Sequence, residues 1–163
     1  MALIKNGAFA EDSWTHIADD ETLDQNTHAI VSLSRWNEER ESLKARNAPL
    51  GLRLEAGESP EAVAEDLSSF HLIELNFPAF KDGRAYSYAR MLRQEFGFEG
   101  ELRASGDVLR SQLQFMHRVG FDAFEVDERI TPDVLKTELS RFTHRYQPSS
   151  DGVPTVLDQR LDT

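Results

Sequence analysis

The sequence predicts an α/β domain of about five mainly parallel strands with helices on both faces of the sheet. Short apolar runs alternate with segments whose apolar residues recur every three or four positions, which is the pattern of βαβ units. A chain of 163 residues is also long enough to bury one core of this kind. A flavodoxin-like open sheet is the preferred arrangement, and a truncated βα-barrel-like arrangement is the alternative.

The alternating pattern occupies residues 28–146, which form the predicted single domain. Residues 1–27 are expected to be an irregular or hairpin-like lead-in, in which Trp14, His16 and Ile17 alternate as in an edge strand. Residues 147–163 lose periodicity and are expected to form a mobile tail.

Five apolar runs are predicted to be strands, because each is short and is bounded by turn or helix-start residues. They cover residues 28–33, 50–54, 70–77, 101–104 and 121–126. The third run also contains two polar residues, Glu74 and Asn76. These two side chains point either to the loop rim or to a helix through a salt bridge.

Five helices are predicted after these strands, at residues 34–46, 60–67, 83–96, 107–119 and 131–142. Each follows or begins with a side chain that can accept a hydrogen bond from a first-turn N–H group: Ser34, Ser59, Asp82, Asp107 and Thr131. The clearest is the third, whose apolar stripe has a period near 3.6 and consists of Ala85, Tyr88, Ala89, Leu92 and Phe96.

Ligands of open parallel sheets bind beyond the carboxyl ends of the strands, which selects the loops 78–84, 105–107 and 127–131. In the first loop, Lys81 and Arg84 beside a helix start favour an anion. The alternative is that Asp82 caps the helix and Arg84 is solvated. In the second loop, Asp107 either caps its helix or joins a phosphate or sulfur-oxyanion site.

Gln112 falls in the middle of the apolar arc of its helix. A buried amide that lacks partners costs about 1–3 kcal/mol, so this side chain must be hydrogen-bonded. Either a neighbouring strand end or buried water, or a ligand, provides the partner. We expect Arg84, Arg103 and Asp107 to converge at one rim above Gln112, unless Asp82 or Asp107 already neutralises the arginines in internal ion pairs.

Composition excludes several kinds of site. The chain has no cysteine, so it contains no thiol nucleophile, disulfide, cysteine-ligated iron–sulfur cluster or thiolate zinc site. No cofactor is evident, because there is no dinucleotide fingerprint and no P-loop lysine. No metal site is expected either, since the five histidines are scattered without helical ligand spacing.

The net charge of −11 argues against a nucleic-acid partner, whose phosphates require a basic surface. The acidity keeps the protein soluble or helps it dock a basic partner. No apolar run is long enough to span a bilayer, and no signal peptide is visible. We therefore expect a cytoplasmic protein without a membrane partner.

Residues 77–126 read FPAFKDGRAYSYARMLRQEFGFEGELRASGDVLRSQLQFMHRVGFDAFEV. This block closely resembles the bacterial family called domain of unknown function 934, and a looser similarity covers roughly residues 20–145. Members are typically encoded beside genes of sulfite reductase and sulfate assimilation, and are often labelled oxidoreductases of sulfite reduction.

The resemblance implies an accessory protein of assimilatory sulfite reduction, acting through contact with sulfite reductase or another sulfate-assimilation protein. The alternative is a small-molecule enzyme or oxyanion sensor with its site at the carboxyl ends of the strands. Whether the protein is an enzyme is left open, since no redox cofactor motif supports the label. The residues that match the family pattern and form the candidate binding rim are Asp82, Arg84, Tyr86, Ser87, Arg90, Arg103, Asp107 and Gln112.

Overall fold

A computed structural model describes residues 1–161. One mixed sheet of eight strands organises the fold. The strands are β1 (Ala2–Lys5), β2 (Ala8–Ala10), β3 (Thr15–His16), β4 (Ala29–Ser32), β5 (Leu50–Leu54), β6 (Leu72–Phe77), β7 (Glu101–Gly106) and β8 (Ala123–Val126). The α/β class is confirmed, but the expected number of about five strands is too low.

The missing strands lie in the predicted lead-in. Residues 1–27 contribute the β1–β2 hairpin at one edge of the sheet and β3 at the other edge. The edge strand expected around His16 is therefore present. β1 pairs antiparallel with β8, whereas β3 to β8 are parallel to one another and neighbour each other in chain order.

The connections between the parallel strands are helical. They are α1 (Leu33–Lys44), a 3₁₀ helix (Pro60–Ser69), α2 (Arg84–Arg90) with a π turn (Met91–Glu95), and α3 (Leu113–Val119) after a short 3₁₀ turn (Arg110–Gln112). Two further helices, α4 (Pro132–Ser140) and α5 (Val156–Leu161), follow β8. No helix in the described part of the chain is both long and apolar enough to cross a membrane.

The order of the strands decides between the two expected arrangements. A flavodoxin-like sheet reverses its strand order, whereas β3 to β8 follow the chain without reversal. Each of these parallel strands is followed along the sheet by the next strand in the chain, and right-handed crossovers that all run in one direction place their helices on the same face of the sheet. The helices therefore do not cover both faces, although this was expected from the sequence. The barrel-like alternative describes the fold, which is an open, curled half-barrel.

The apolar core lies between the sheet and this helical layer. Alternate strand residues such as Leu52, Leu75 and Leu102 point into it, together with Trp36 of α1 and Leu92 of the π turn. Residues at the other alternate positions form the opposite, concave surface of the sheet, which we call the inner face.

The chain itself requires the sheet to curl. Eight strands spaced about 4.8 Å apart place the edges of a flat sheet roughly 34 Å from each other. Strands β2 and β3 occupy the two edges, yet five residue steps from Ala10 to Thr15 span at most about 18 Å. The edges must therefore approach each other, and residues 11–14 cross the opening of the half-barrel.

Part of the segment that was predicted to be a mobile tail contacts the domain, whereas α5 buries no residue. Ser149 Oγ donates to the carbonyl of Arg118 at 2.7 Å, and Asp151 pairs with Arg118 Nε at 3.0 Å. The last two residues of the predicted tail, 162 and 163, lie outside the described residues.

Candidate functional site

The inner face carries polar side chains from successive strands, at alternate positions opposite the core. Arg53, Glu74 and Arg103 are paired in register across β5, β6 and β7. Ser105 and Glu125 extend the polar surface towards the carboxyl ends of β7 and β8. In barrel-like α/β folds, catalytic residues lie at these carboxyl ends.

Arg103 is the centre of an ion-pair network and is only 1% exposed. Its guanidinium donates to Asp12 Oδ2 at 2.9 Å, Glu101 Oε1 at 2.8 Å and Glu125 Oε1 at 3.2 Å. Burial alone lowers the pKa of Arg103, but the bonds to Asp12 and Glu101 raise it overall. Asp12 comes from the segment that crosses the opening, so Arg103 also fastens that segment to the sheet.

Glu74 is fully buried on the neighbouring strand and uses both of its oxygens. Oε1 accepts from Ser105 Oγ at 2.7 Å and from Arg53 Nη1 at 3.0 Å, and Oε2 is bonded to His16 Nε2 at 2.8 Å. Burial raises the pKa of Glu74, but the bonds from His16 and Ser105 lower it overall. The bond to Glu74 raises the pKa of His16 above its usual 6.5.

Glu125 has the opposite electrostatic character. Burial raises its pKa, and the nearby charge of Glu74 raises it further, while Arg103 lowers it only in part. Ligand atoms of His16, Glu74 and Glu125 lie within 4.8 Å of one another, which is close enough to hold a metal ion. A half-exposed imidazole beside two carboxylates can also exchange protons with a bound molecule.

The predicted rim residues do not form a single site. Arg84 pairs with Asp82 at 2.5 Å on the exposed loop after β6, whereas Arg103 pairs on the inner face with Asp12, Glu101 and Glu125. Within residues 1–161, Arg84 and Arg103 share no ion-pair partner. The internal ion pair that the sequence offered as the alternative is therefore present for Arg84 and Asp82, and it lowers the pKa of Asp82 to about 2.

Asp107 and Gln112 hold the loop that follows β6. Asp107 Oδ2 accepts the backbone N–H of Phe80 at 2.8 Å, and Gln112 Nε2 donates to the Phe80 carbonyl at 3.4 Å. Gln112 is buried, as its helical position predicts, and its Oε1 accepts from the Leu109 N–H at 3.2 Å. Gly106 permits this turn, because its φ is +85° and a Cβ there would lie 2.3 Å from the Phe77 carbonyl oxygen.

Tyr86, Arg90 and Gln112 line a surface cavity of about 660 Å³ on the helical side of the molecule, together with Phe80 and Phe115. Ser87 is exposed on the same helix. Burial raises the pKa of Tyr86 to about 12, despite a hydrogen bond with Gln112 that lowers it.

A second cavity, of about 380 Å³, shares Phe115, Arg118 and Gln147 with the first, so the two adjoin. We call the joint surface the aromatic groove. Its aromatic residues are Phe80, Tyr86, Phe115, Phe142 and Tyr146, and its arginines are Arg90, Arg118 and Arg145.

Sequence reasoning missed His16 and Glu125 as site residues and left Glu74 undecided. The signal that could have found the two glutamates is the partial alternation of polar and apolar residues in Leu50–Leu54, Leu72–Phe77 and Ala123–Val126. A parallel sheet covered by helices on both faces has strands that are apolar throughout. Polar residues at every second position therefore indicate a sheet with one uncovered face.

Comparison with known proteins gives the family but no function. A search of curated proteins found no match. The family model described as "Bacterial protein of unknown function (DUF934)" matches residues 51–157, which include all but the first residue of β5, the strands β6 to β8 and all lining residues of the aromatic groove. This match confirms the resemblance found in residues 77–126, and the chain belongs to the DUF934 family.

Proposed function

We propose that the protein is a cytoplasmic accessory protein of assimilatory sulfite reduction. In this proposal it acts through contact with sulfite reductase or with a related enzyme of the pathway, and the aromatic groove is the contact surface. The resemblance to a family encoded beside sulfite reductase genes supports the pathway. The composition of the groove supports the mode of action.

The observation that carries the proposal is that no acidic residue among residues 1–161 lines the groove. Asp and Glu make up 29 of the 163 residues of the chain, yet neither cavity is lined by either residue type. Arginines rim the groove instead. Asp151 neutralises Arg118, but the charges of Arg90 and Arg145 still favour an anionic partner, because complementary potentials steer association.

The groove also exposes large apolar side chains. Phe80, Phe115 and Phe142 are more than half exposed, and Tyr146 is 86% exposed. Contiguous exposed aromatic groups mark interaction surfaces, and interface cores are enriched in aromatic residues and arginine. The groove therefore suits a partner segment that presents apolar side chains and carboxylates together.

Two arginines of the groove are available for such carboxylates. The hydrogen bonds described for Arg90 and Arg145 are to uncharged groups: Arg90 donates to Gln94 Oε1 at 2.7 Å, and Arg145 donates to backbone carbonyls. Gln114 Nε2 and Arg145 Nε are buried donors without an acceptor in the described part of the chain.

Affinity purification from the native host, followed by identification of the captured proteins, tests the proposal. We expect sulfite reductase or another sulfate-assimilation enzyme to be enriched, and we expect added salt to weaken the association because it screens exposed charges. Arg90→Glu and Phe115→Ser should each reduce the capture, since they remove a charge contact and an apolar contact.

Phe9→Ser is the matched control for Phe115→Ser. Phe9 is 56% exposed and Phe115 is 55% exposed, but Phe9 lies on the edge strand β2, outside the groove. Arg129→Glu is the control for charge reversal, because Arg129 is exposed on the loop before α4 and pairs with Asp127. Equal capture by groove and control variants, or no sulfur-pathway protein at any salt concentration, would contradict the proposal.

The second candidate is a small-molecule enzyme or oxyanion sensor at the carboxyl ends of the strands. The polar inner face favours it, because His16, Glu74 and Ser105 form a connected proton-exchanging network. An oxyanion, however, would have to displace carboxylates that already pair with Arg84 and Arg103. A thermal-shift screen with sulfite, sulfate, adenylyl sulfate, flavins and nicotinamides separates the candidates, since a ligand of the native state raises the Tm.

A further inference from the structure

Three side chains from distant strands meet on the inner face. His16 lies on β3, Glu74 on β6 and Glu125 on β8, and their ligand atoms are all within 4.8 Å of one another. In a flat sheet, β3 and β8 would be roughly 24 Å apart, since five strand spacings separate them. The curl of the half-barrel therefore creates this cluster, which explains why no spacing in the sequence indicates it.

We propose that His16, Glu74 and Glu125 bind one divalent first-row transition-metal cation on the inner face. This site is separate from the aromatic groove, and the proposal does not depend on the proposed function. No metal was expected from the sequence, because its histidines lack helical ligand spacing.

In both Glu74 and Glu125, hydrogen bonds hold one carboxylate oxygen in place, and the other oxygen remains for a metal ion. Ser105 and Arg53 donate to Glu74 Oε1, which leaves Oε2 at the cluster beside His16. Arg103 donates to Glu125 Oε1, and no hydrogen bond is described for the other oxygen. In metal sites, hydrogen bonds of this kind, made to the atoms that do not bind the metal, orient the ligand side chains.

The charge balance of the surrounding network favours a cation. Five carboxylates face three permanent cations: Asp12, Glu55, Glu74, Glu101 and Glu125 against Lys5, Arg53 and Arg103. With His16 neutral, as a metal ligand must be, two negative charges exceed the positive ones; Glu74 and Arg103 are buried, whereas Asp12 and Glu55 reach solvent. Uncompensated charge is costly away from water, and a divalent cation would neutralise it.

The donor set selects the class of metal. One imidazole and two carboxylates suit zinc, manganese or iron, whereas magnesium and calcium prefer oxygen ligands alone. Copper(I) is disfavoured because no thiolate is present. The His16 side chain is 45% exposed and that of Glu125 is 20% exposed, so an ion can enter from solvent. Three protein ligands leave coordination positions for water or a small anion.

Calorimetric titration of the chelator-treated, tag-free full chain with zinc chloride, and separately with manganese chloride, tests the proposal. We expect one cation per chain. His16→Gln and Glu125→Gln should each weaken binding by about tenfold or more, because each removes a ligand while nearly preserving shape. Ser105→Ala should weaken it less, since Ser105 only orients Glu74.

Glu55→Gln is the matched control, because Glu55 belongs to the same network through Arg53 and Asn76 but lies outside the cluster. Its affinity for the cation should fall far less than that of His16→Gln and Glu125→Gln, because Glu55→Gln removes one charge of the network but no ligand. Far-ultraviolet circular dichroism and the Tm of each metal-free variant establish that it is folded. Absence of one-to-one binding tighter than about 1 mM, or equal weakening by Glu55→Gln, would overturn the proposal.

Discussion

The inner face and the aromatic groove both contain arginines, but they use them differently. On the inner face, Arg103 is surrounded by Asp12, Glu101 and Glu125 and is almost inaccessible. In the groove, Arg90 and Arg145 contact uncharged groups and stand beside exposed aromatic rings. The ion pairs of Arg103 join strands and the segment of Asp12 within the fold. The groove arginines can instead pair with carboxylates of a partner at the surface.

This difference predicts that substitutions on the inner face lower stability, and that substitutions in the groove lower partner binding without lowering stability. Buried ion pairs are costly to break on one side, because the remaining charges lose compensation. Exposed side chains are solvated by water and leave no buried charge unpaired when they are replaced. Most surface substitutions therefore change the free energy of unfolding by less than about 0.5 kcal/mol.

Arg103→Met should show the largest effect. The substitution leaves three carboxylates without their shared cation and releases the segment that Asp12 fastens, so we expect the free energy of unfolding to fall by about 3–5 kcal/mol. Urea denaturation measures this loss. A loss below about 1 kcal/mol would show that the network does not hold the inner face together.

His16→Gln should give a smaller effect that depends on pH. Because the folded pKa of His16 is raised above 6.5, its ion pair with Glu74 stabilises the fold below pH 6.5, and this contribution is lost as the pH rises through the folded value. We expect the variant to be destabilised by up to about 1 kcal/mol at pH 5.5 and by less at pH 8.5. Thermal unfolding with a chelator present checks the trend, and a constant difference across pH would contradict it.

Tyr86→Phe probes the junction between the core and the groove. Loss of the hydrogen bond with Gln112 should cost about 0.5–1.5 kcal/mol, because the amide loses one buried partner. The folded protein raises the pKa of Tyr86 from 10 to about 12, so it favours the neutral phenol. The free energy of unfolding should therefore decline as the pH rises above 10, where the tyrosine of the unfolded chain ionises. In an ultraviolet titration, the variant should lack the tyrosine that ionises last; an unchanged curve would refute the assignment.

Phe115→Ser should have the smallest effect on stability, within about 0.5 kcal/mol of the unchanged protein. Its ring is more than half exposed, so little buried apolar area is lost. Urea denaturation beside the Phe9→Ser control measures the change. A loss several times larger would place Phe115 in the core and remove it from the proposed contact surface.

Local patterns predicted most of the elements between residues 28 and 146. The strand Leu50–Leu54 was predicted with the observed bounds, and the helix capped by Thr131 begins where proline and an acidic first turn place it. The sequence also predicted the burial of Gln112. These features depend on neighbours within one or two turns of chain, which a sequence displays directly.

Long-range geometry could not be obtained in the same way. Arg103 was identified as a candidate residue, but its partner Asp12 lies 91 positions away in a segment expected to be irregular. The meeting of His16 with Glu125 depends on the curl of the whole sheet. The polar alternation in Leu72–Phe77 did contain information about the uncovered face, and it was the clue against a doubly covered sheet.

The most direct test of the account is complementation of a deletion strain on sulfate as the sole sulfur source, with the Tm of each purified variant measured in parallel. We predict that Arg90→Glu and Phe115→Ser fail to restore growth on sulfate, although their Tm is unchanged and growth on sulfide is normal. Phe9→Ser and Arg129→Glu should restore growth fully. Normal growth of the groove variants on sulfate, or of the deletion strain itself, would contradict the claim that the groove serves sulfite reduction.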